Sequence, residues 1–111
     1  MRNTAVRKWI KQPVDPDRIR TLPRQFAPLD RQLVYGKHVR FMSPEQIAFY
    51  TFLECVSDPQ GISWYSDDRI CELLHFSLNG LWQSRGHLID AGCLLYRKPI
   101  YQLLNLPELS V

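Results

Sequence analysis

Apolar residues recur at helical spacing in two consecutive stretches, and the polar residues around them carry capping chemistry. Ile70, Leu73 and Leu74 fall at i, i+3 and i+4 and share one face. Ser66 can cap that helix, and Asp67 and Asp68 occupy its first turn, where the helix dipole favours acids. His75-Phe76 interrupts the pattern. Ser77 can cap a second helix over residues 78–91, in which Leu81, Leu88 and Ile89 point inward. Gly92 follows as a left-handed C-terminal residue. His75 stands between the helices where such turns usually carry glycine, and a left-handed His is tolerated there.

The flanking pattern extends this pair. Cys93–Tyr96, the basic turn Arg97-Lys98-Pro99 and Ile100–Leu104 read as strand, turn, strand. Upstream, Ser43-Pro44-Glu45-Gln46 is a helix start: Ser43 caps, Pro44 takes the first helical position, and Gln46 completes a capping box. Ile47, Ala48, Tyr50, Phe52, Leu53 and Val56 make that helix apolar on more than one side, so it belongs at the centre of a domain. Asp58-Pro59-Gln60-Gly61 is turn chemistry, and Ile62–Tyr65 alternates as a short strand able to pair with the hairpin. Between 25 and 42, Leu29, Leu33 and Val34 suggest one helical turn ended by Gly36, with Val39-Arg40-Phe41 extended. Pro107 breaks a short C-terminal tail.

Two helices joined by a short turn and running into a β-hairpin give the outline of a winged helix-turn-helix. With Phe49–Leu53, Gly61–Ser66, Leu88–Gly92 and Pro99–Leu104, the chain resembles small bacterial winged helix-turn-helix proteins over residues 25–107. These include proteins encoded beside transposable elements and in plasmid replication regions. The resemblance implies a mainly α fold with a small β-hairpin, a three-helix core plus wing. It also implies DNA binding by a regulator or accessory factor of transcription, replication or transposition.

Composition is that of an ordinary globular chain, 45% apolar and 23% charged, and 111 residues allow one modest core. No apolar run reaches membrane length. The first residues lack the apolar centre of a secretory signal, and three cysteines fit a reducing cytoplasm. The net charge of +3 is unevenly spread. Residues 1–40 hold ten Lys and Arg against three acids, a net of +7, while residues 41–111 hold four against eight, a net of −4. Residues 1–24, with Arg2, Arg7, Lys8, Lys11, Arg18, Arg20, Arg24 and three prolines, read as an extended arm anchored only by Trp9 and Ile10. Residues 25–111 read as the domain. Such an arm serves either as a solvated tail or as a phosphate-tracking or subunit-embracing segment.

On the second helix, Asn79 and Gln83 stand at i and i+4, and both can pair with adenine edges. Trp82 can pack on sugar or a thymine methyl. Arg85 and His87 can reach phosphate, although Arg85 occupies a place where the helix pattern calls for an apolar core residue. Arg97 and Lys98 at the hairpin tip, and Arg7, Lys8 and Lys11 of the arm, complete the expected contacts to double-stranded DNA. The acids Asp67, Asp68 and Glu72 argue for an alternative, a protein-interaction module or homodimer using exposed Leu78 and Trp82. Cys71, His75, His87 and Cys93 do not match structural-zinc spacing, so no metal or other cofactor is expected. No nucleophile motif or phosphate loop points to an enzyme.

Overall fold

The computed structural model describes residues 12–109. It is a mixed α/β arrangement of four helices and one three-stranded antiparallel sheet. The helices are α1 (Gln32–Tyr35), α2 (Pro44–Val56), α3 (Asp67–Leu74) and α4 (Leu78–Asp90), and the strands are β1 (Ile62–Trp64), β2 (Leu94–Arg97) and β3 (Ile100–Leu103). The strand order is β1-β3-β2, so the strand before the helix pair joins the hairpin after it. The short strand expected at Ile62–Tyr65 thus pairs with the hairpin, and with a three-stranded sheet beside four helices the chain is mixed α/β rather than mainly α. None of the described helices is long and apolar enough to cross a membrane.

The helix starts follow the sequence. Ser43 Oγ accepts the Gln46 N–H, and the Gln46 side chain accepts the Ser43 N–H, closing the capping box. Ser66 and Ser77 cap α3 and α4 by accepting from Arg69 and Gly80. His75 adopts φ 60°, the left-handed conformation that lets the chain turn between the two helices. At the end of α4, Gly92 takes φ 80°, its N–H donating to Ile89 O and that of Cys93 to Leu88 O. That pair of bonds satisfies carbonyls the helix end would otherwise leave open.

Phe49, Tyr50 and Leu53 of α2, Ile70 of α3, Leu81 and Leu88 of α4, and Leu94 and Tyr101 of the sheet form one buried cluster. Phe49 and Tyr101 meet edge to face at 5.8 Å. Some expected core positions lie outside: Leu73 and Ile89 are exposed, and Gly80 and Ser84 are buried in α4 instead. Both substitutions reflect where neighbours sit. Glu45 of α2 passes so close to Gly80 that a Cβ there would come within 3.3 Å of its carboxylate, so this side of α4 faces the bundle. In the segment before α2, Leu33 of α1 and His38 are buried, while Leu29 and Val34 are exposed. Residues His38–Phe41 form a 3-10 turn rather than extended chain, because Lys37 turns left-handed at φ 68° and Arg40 and Met42 N–H groups bond back to Lys37 and Val39 carbonyls.

The turn into β1 is held by Asp58, whose carboxylate accepts the N–H groups of Gln60 and Ile62 at 2.8 and 2.9 Å. Gly61 sits at φ 84°, and a Cβ would lie 2.9 Å from the Leu103 carbonyl, which closes the sheet against it. Gly61→Ala should therefore cost about 1–3 kcal/mol through backbone strain, seen as a lower midpoint in thermal unfolding.

Candidate nucleic-acid interface

The buried residues of α4, Gly80, Leu81, Ser84 and Leu88, define one side of the helix. At 3.6 residues per turn, Gly86 lies at the middle of the opposite side, flanked by Asn79, Trp82 and Gln83. Asn79 and Gln83 are exposed, and among the described residues neither carboxamide has a hydrogen-bond partner. Leu78 and Trp82 are about half exposed beside them. A Cβ on Gly86 would meet nothing within 4 Å. Glycine costs a helix about 1 kcal/mol relative to alanine, and nothing inside the chain requires it here. Gly86→Ala is accordingly expected to stabilise the free protein by about 1 kcal/mol, read as a raised unfolding midpoint.

Arg85 does not join this outward face. Its guanidinium turns inward, with the side chain 13% exposed, and pairs with Asp67 at 2.8 Å. It also donates to the Tyr101 hydroxyl at 2.8 Å and lies 4.2 Å from the centre of the Tyr96 ring. Trp82 Nε1–H donates to the same Asp67 carboxylate at 3.1 Å. One acid at the start of α3 thus fixes two side chains of α4, and one of these reaches both strands of the hairpin. The pKa directions agree with the geometry. The hydrogen bond from Arg85 holds the Asp67 carboxyl below its ordinary value despite partial burial. Burial works against the Arg85 charge, but its bonds to Asp67 and Tyr101 outweigh this and raise its pKa. Burial pushes the Tyr101 hydroxyl up to about 12, against the opposing pull of Arg85. The sequence signals for this cluster were a cation at a core position of α4 and an acid at the start of α3; the Tyr96 platform had no such signal.

His87 likewise faces a neighbour. Its Nε2 lies 3.0 Å from the Phe41 carbonyl, to which it donates, tying the 3-10 turn that bears Arg40 to the C-terminal half of α4. On the other flank, Lys98 and Pro99 of the hairpin tip line a groove with Tyr65, Asp68, Leu78 and Trp82. Arg97 ends β2 and, by strand alternation, shares the outer face of the sheet with Leu95, whereas Leu94 and Tyr96 face inward. Arg7, Lys8 and Lys11, with Trp9 and Ile10, lie outside the described residues. Of the remaining expected arm, Pro16–Arg18 form a 3-10 turn capped by Asp15, and Arg20 and Arg24 are exposed.

Among the described residues no three His, Cys, Asp or Glu side chains are grouped to hold a metal ion. Cys93 is buried, and burial pushes its thiol pKa up. No known protein family, curated protein or solved structure matches this chain.

Proposed function

We propose that the protein binds double-stranded DNA as a winged helix-turn-helix, with α3 and α4 as the helix pair, β2 and β3 as the wing, and α4 in the major groove. The observation that carries this reading is the outward face of α4. It presents two unpaired carboxamides one turn apart and a glycine with open space above it, so the helix backbone can approach base edges closely. Lys98 stands on one flank, and exposed Lys37 and Arg40 belong to the segment on the other. The neutralisation of Asp67 by Arg85 removes one acid from the field beside α4. Exposed Arg20 and Arg24 add sequence-independent attraction to phosphate. Such a protein serves as a regulator or accessory factor of transcription, replication or transposition.

The test is fluorescence anisotropy with a random-sequence duplex across a salt series, for the full chain and for a chain lacking residues 1–24. Binding with a salt slope of about −0.9 per phosphate contact is expected for both, steeper for the full chain. A slope that vanishes with the arm would remove α4 and the wing from the contact surface. Absence of binding by either chain would favour the second reading, a protein-interaction module. That reading rests on half-exposed Leu78 and Trp82, which share a groove with Tyr65 and Tyr96.

A further inference from the structure

Four of the six outward positions of the sheet, Ile62, Trp64, Leu95 and Ile100, are apolar, and the other two are Arg97 and Gln102. Trp64 is 69% exposed, Leu95 51% and Ile100 38%, and strand pairing makes them neighbours on one face. Strand pairing arranges the face in two rows. Trp64, Ile100 and Arg97 are aligned across the three strands, and Ile62, Gln102 and Leu95 are aligned in the row below. At the free edge of β1, Asp58 already bonds both the N–H and the carbonyl of Ile62.

We propose that this face is a dimer interface, two copies of the chain packing sheet to sheet about a two-fold axis running along β3. Rotation about that axis exchanges β1 with β2 and leaves each row in place. Trp64 then faces Arg97 of the second copy, Ile62 faces Leu95, and Ile100 and Gln102 each face themselves. Every position meets a suitable partner: a guanidinium on an indole, aliphatic on aliphatic, amide on amide. The two-fold axis imposes the reciprocity, and what the face itself supplies is that each imposed pair is chemically compatible across sheets stacked about 10 Å apart. An unrelated partner would leave this internal match unexplained. The dimer goes beyond the DNA-binding reading and does not rest on it; it assigns Arg97 to the interface and leaves Lys98 to the groove beside α4.

Sedimentation of the full chain over a wide concentration range tests the proposal, with circular dichroism to verify folding. The wild type is expected to dimerise. Ile100→Asp sets two carboxylates against each other on the axis and should weaken association by on the order of a hundredfold or more. Trp64→Arg should also dissociate the dimer, because it opposes two guanidinium groups, and Trp64→Arg combined with Arg97→Glu should restore it. Should Ile100→Asp fail to fold, the Trp64→Arg pair decides, since Trp64 projects into solvent. A wild type that stays monomeric, or a dimer that survives Trp64→Arg or is not restored by Arg97→Glu, would overturn the interface. Trp82→Ala should leave association unchanged; its loss on that substitution would move the contact to α4 and overturn the proposal equally.

Discussion

Asp67→Ala is expected to destabilise the protein by about 2–3 kcal/mol, lowering its unfolding midpoint by about 8–20 °C. The loss is large because the substitution strands a charge rather than removing one. Arg85 is 13% exposed and Asp67 29%, so after the substitution the guanidinium keeps only the Tyr101 hydroxyl and the Tyr96 ring. The residual exposure admits some water and places the cost below the 3–5 kcal/mol of a fully buried broken pair. Combining Asp67→Ala with Arg85→Met should recover much of the loss, since an apolar side chain of similar length can occupy the space against Tyr96 without an unpaired charge. Recovery would show that the single variant suffers from the orphaned cation; no recovery would show that Asp67 acts mainly through its bond to Trp82. The pH dependence has a defined sign. Asp67 has a depressed pKa in the folded state, so its stabilisation is complete above the ordinary aspartate value of about 3.9 and is lost as pH falls through the lower folded value. Thermal melts should therefore show a steeper acid loss for the wild type than for Asp67→Asn.

Caps, helix ends and the turn into β1 are legible in the sequence because they rest on neighbours a few residues away. Ser43, Ser66 and Ser77 cap helices because the N–H groups they satisfy lie three residues ahead. Gly92 and His75 turn left-handed because a helix end must be closed there. Ile62–Trp64 pairs with β3 because alternation and the Asp58 turn set its direction. The differences fall where tertiary neighbours decide, as in α4, or where a non-glycine residue turns left-handed without a sequence signal, as at Lys37. Helical spacing could not distinguish Ile89, which is exposed, from Ser84, which is buried, because the apolar stripe was centred on the wrong side by the small size of Gly80 and Ser84. The segment His38–Phe41 looked extended because of its β-branched and aromatic residues, yet the left-handed Lys37 winds it into a turn that His87 then holds. For the candidate interface, Asn79, Trp82 and Gln83 stand outward as their spacing implied. Arg85 was a recognisable anomaly in the helix pattern, but its partner lies 18 residues away, and no periodicity reports such a pairing.

The outward carboxamides carry the second large effect. If α4 reads base edges, Asn79→Ala and Gln83→Ala should each reduce affinity for a selected duplex by about 1–3 kcal/mol, and most of that loss should fall on the base pairs each side chain addresses. Both side chains are exposed and bond nothing among the described residues, so neither substitution should lower the stability by more than about 0.5 kcal/mol. Neither removes a charge, and the salt slope should therefore stay constant while specific affinity falls. Lys98→Ala should do the reverse, weakening selected and random duplexes alike and flattening the slope by about one phosphate contact. The measurement is a duplex selected from a randomised pool by the wild-type chain, then titrated with each variant beside a random duplex. Parallel losses on both duplexes for Asn79→Ala and Gln83→Ala would mean that α4 lies against the backbone rather than in the groove. A wild type that selects nothing from the pool, but whose binding to a protein partner is lost on Trp82→Ala, would replace the DNA reading with the interaction module.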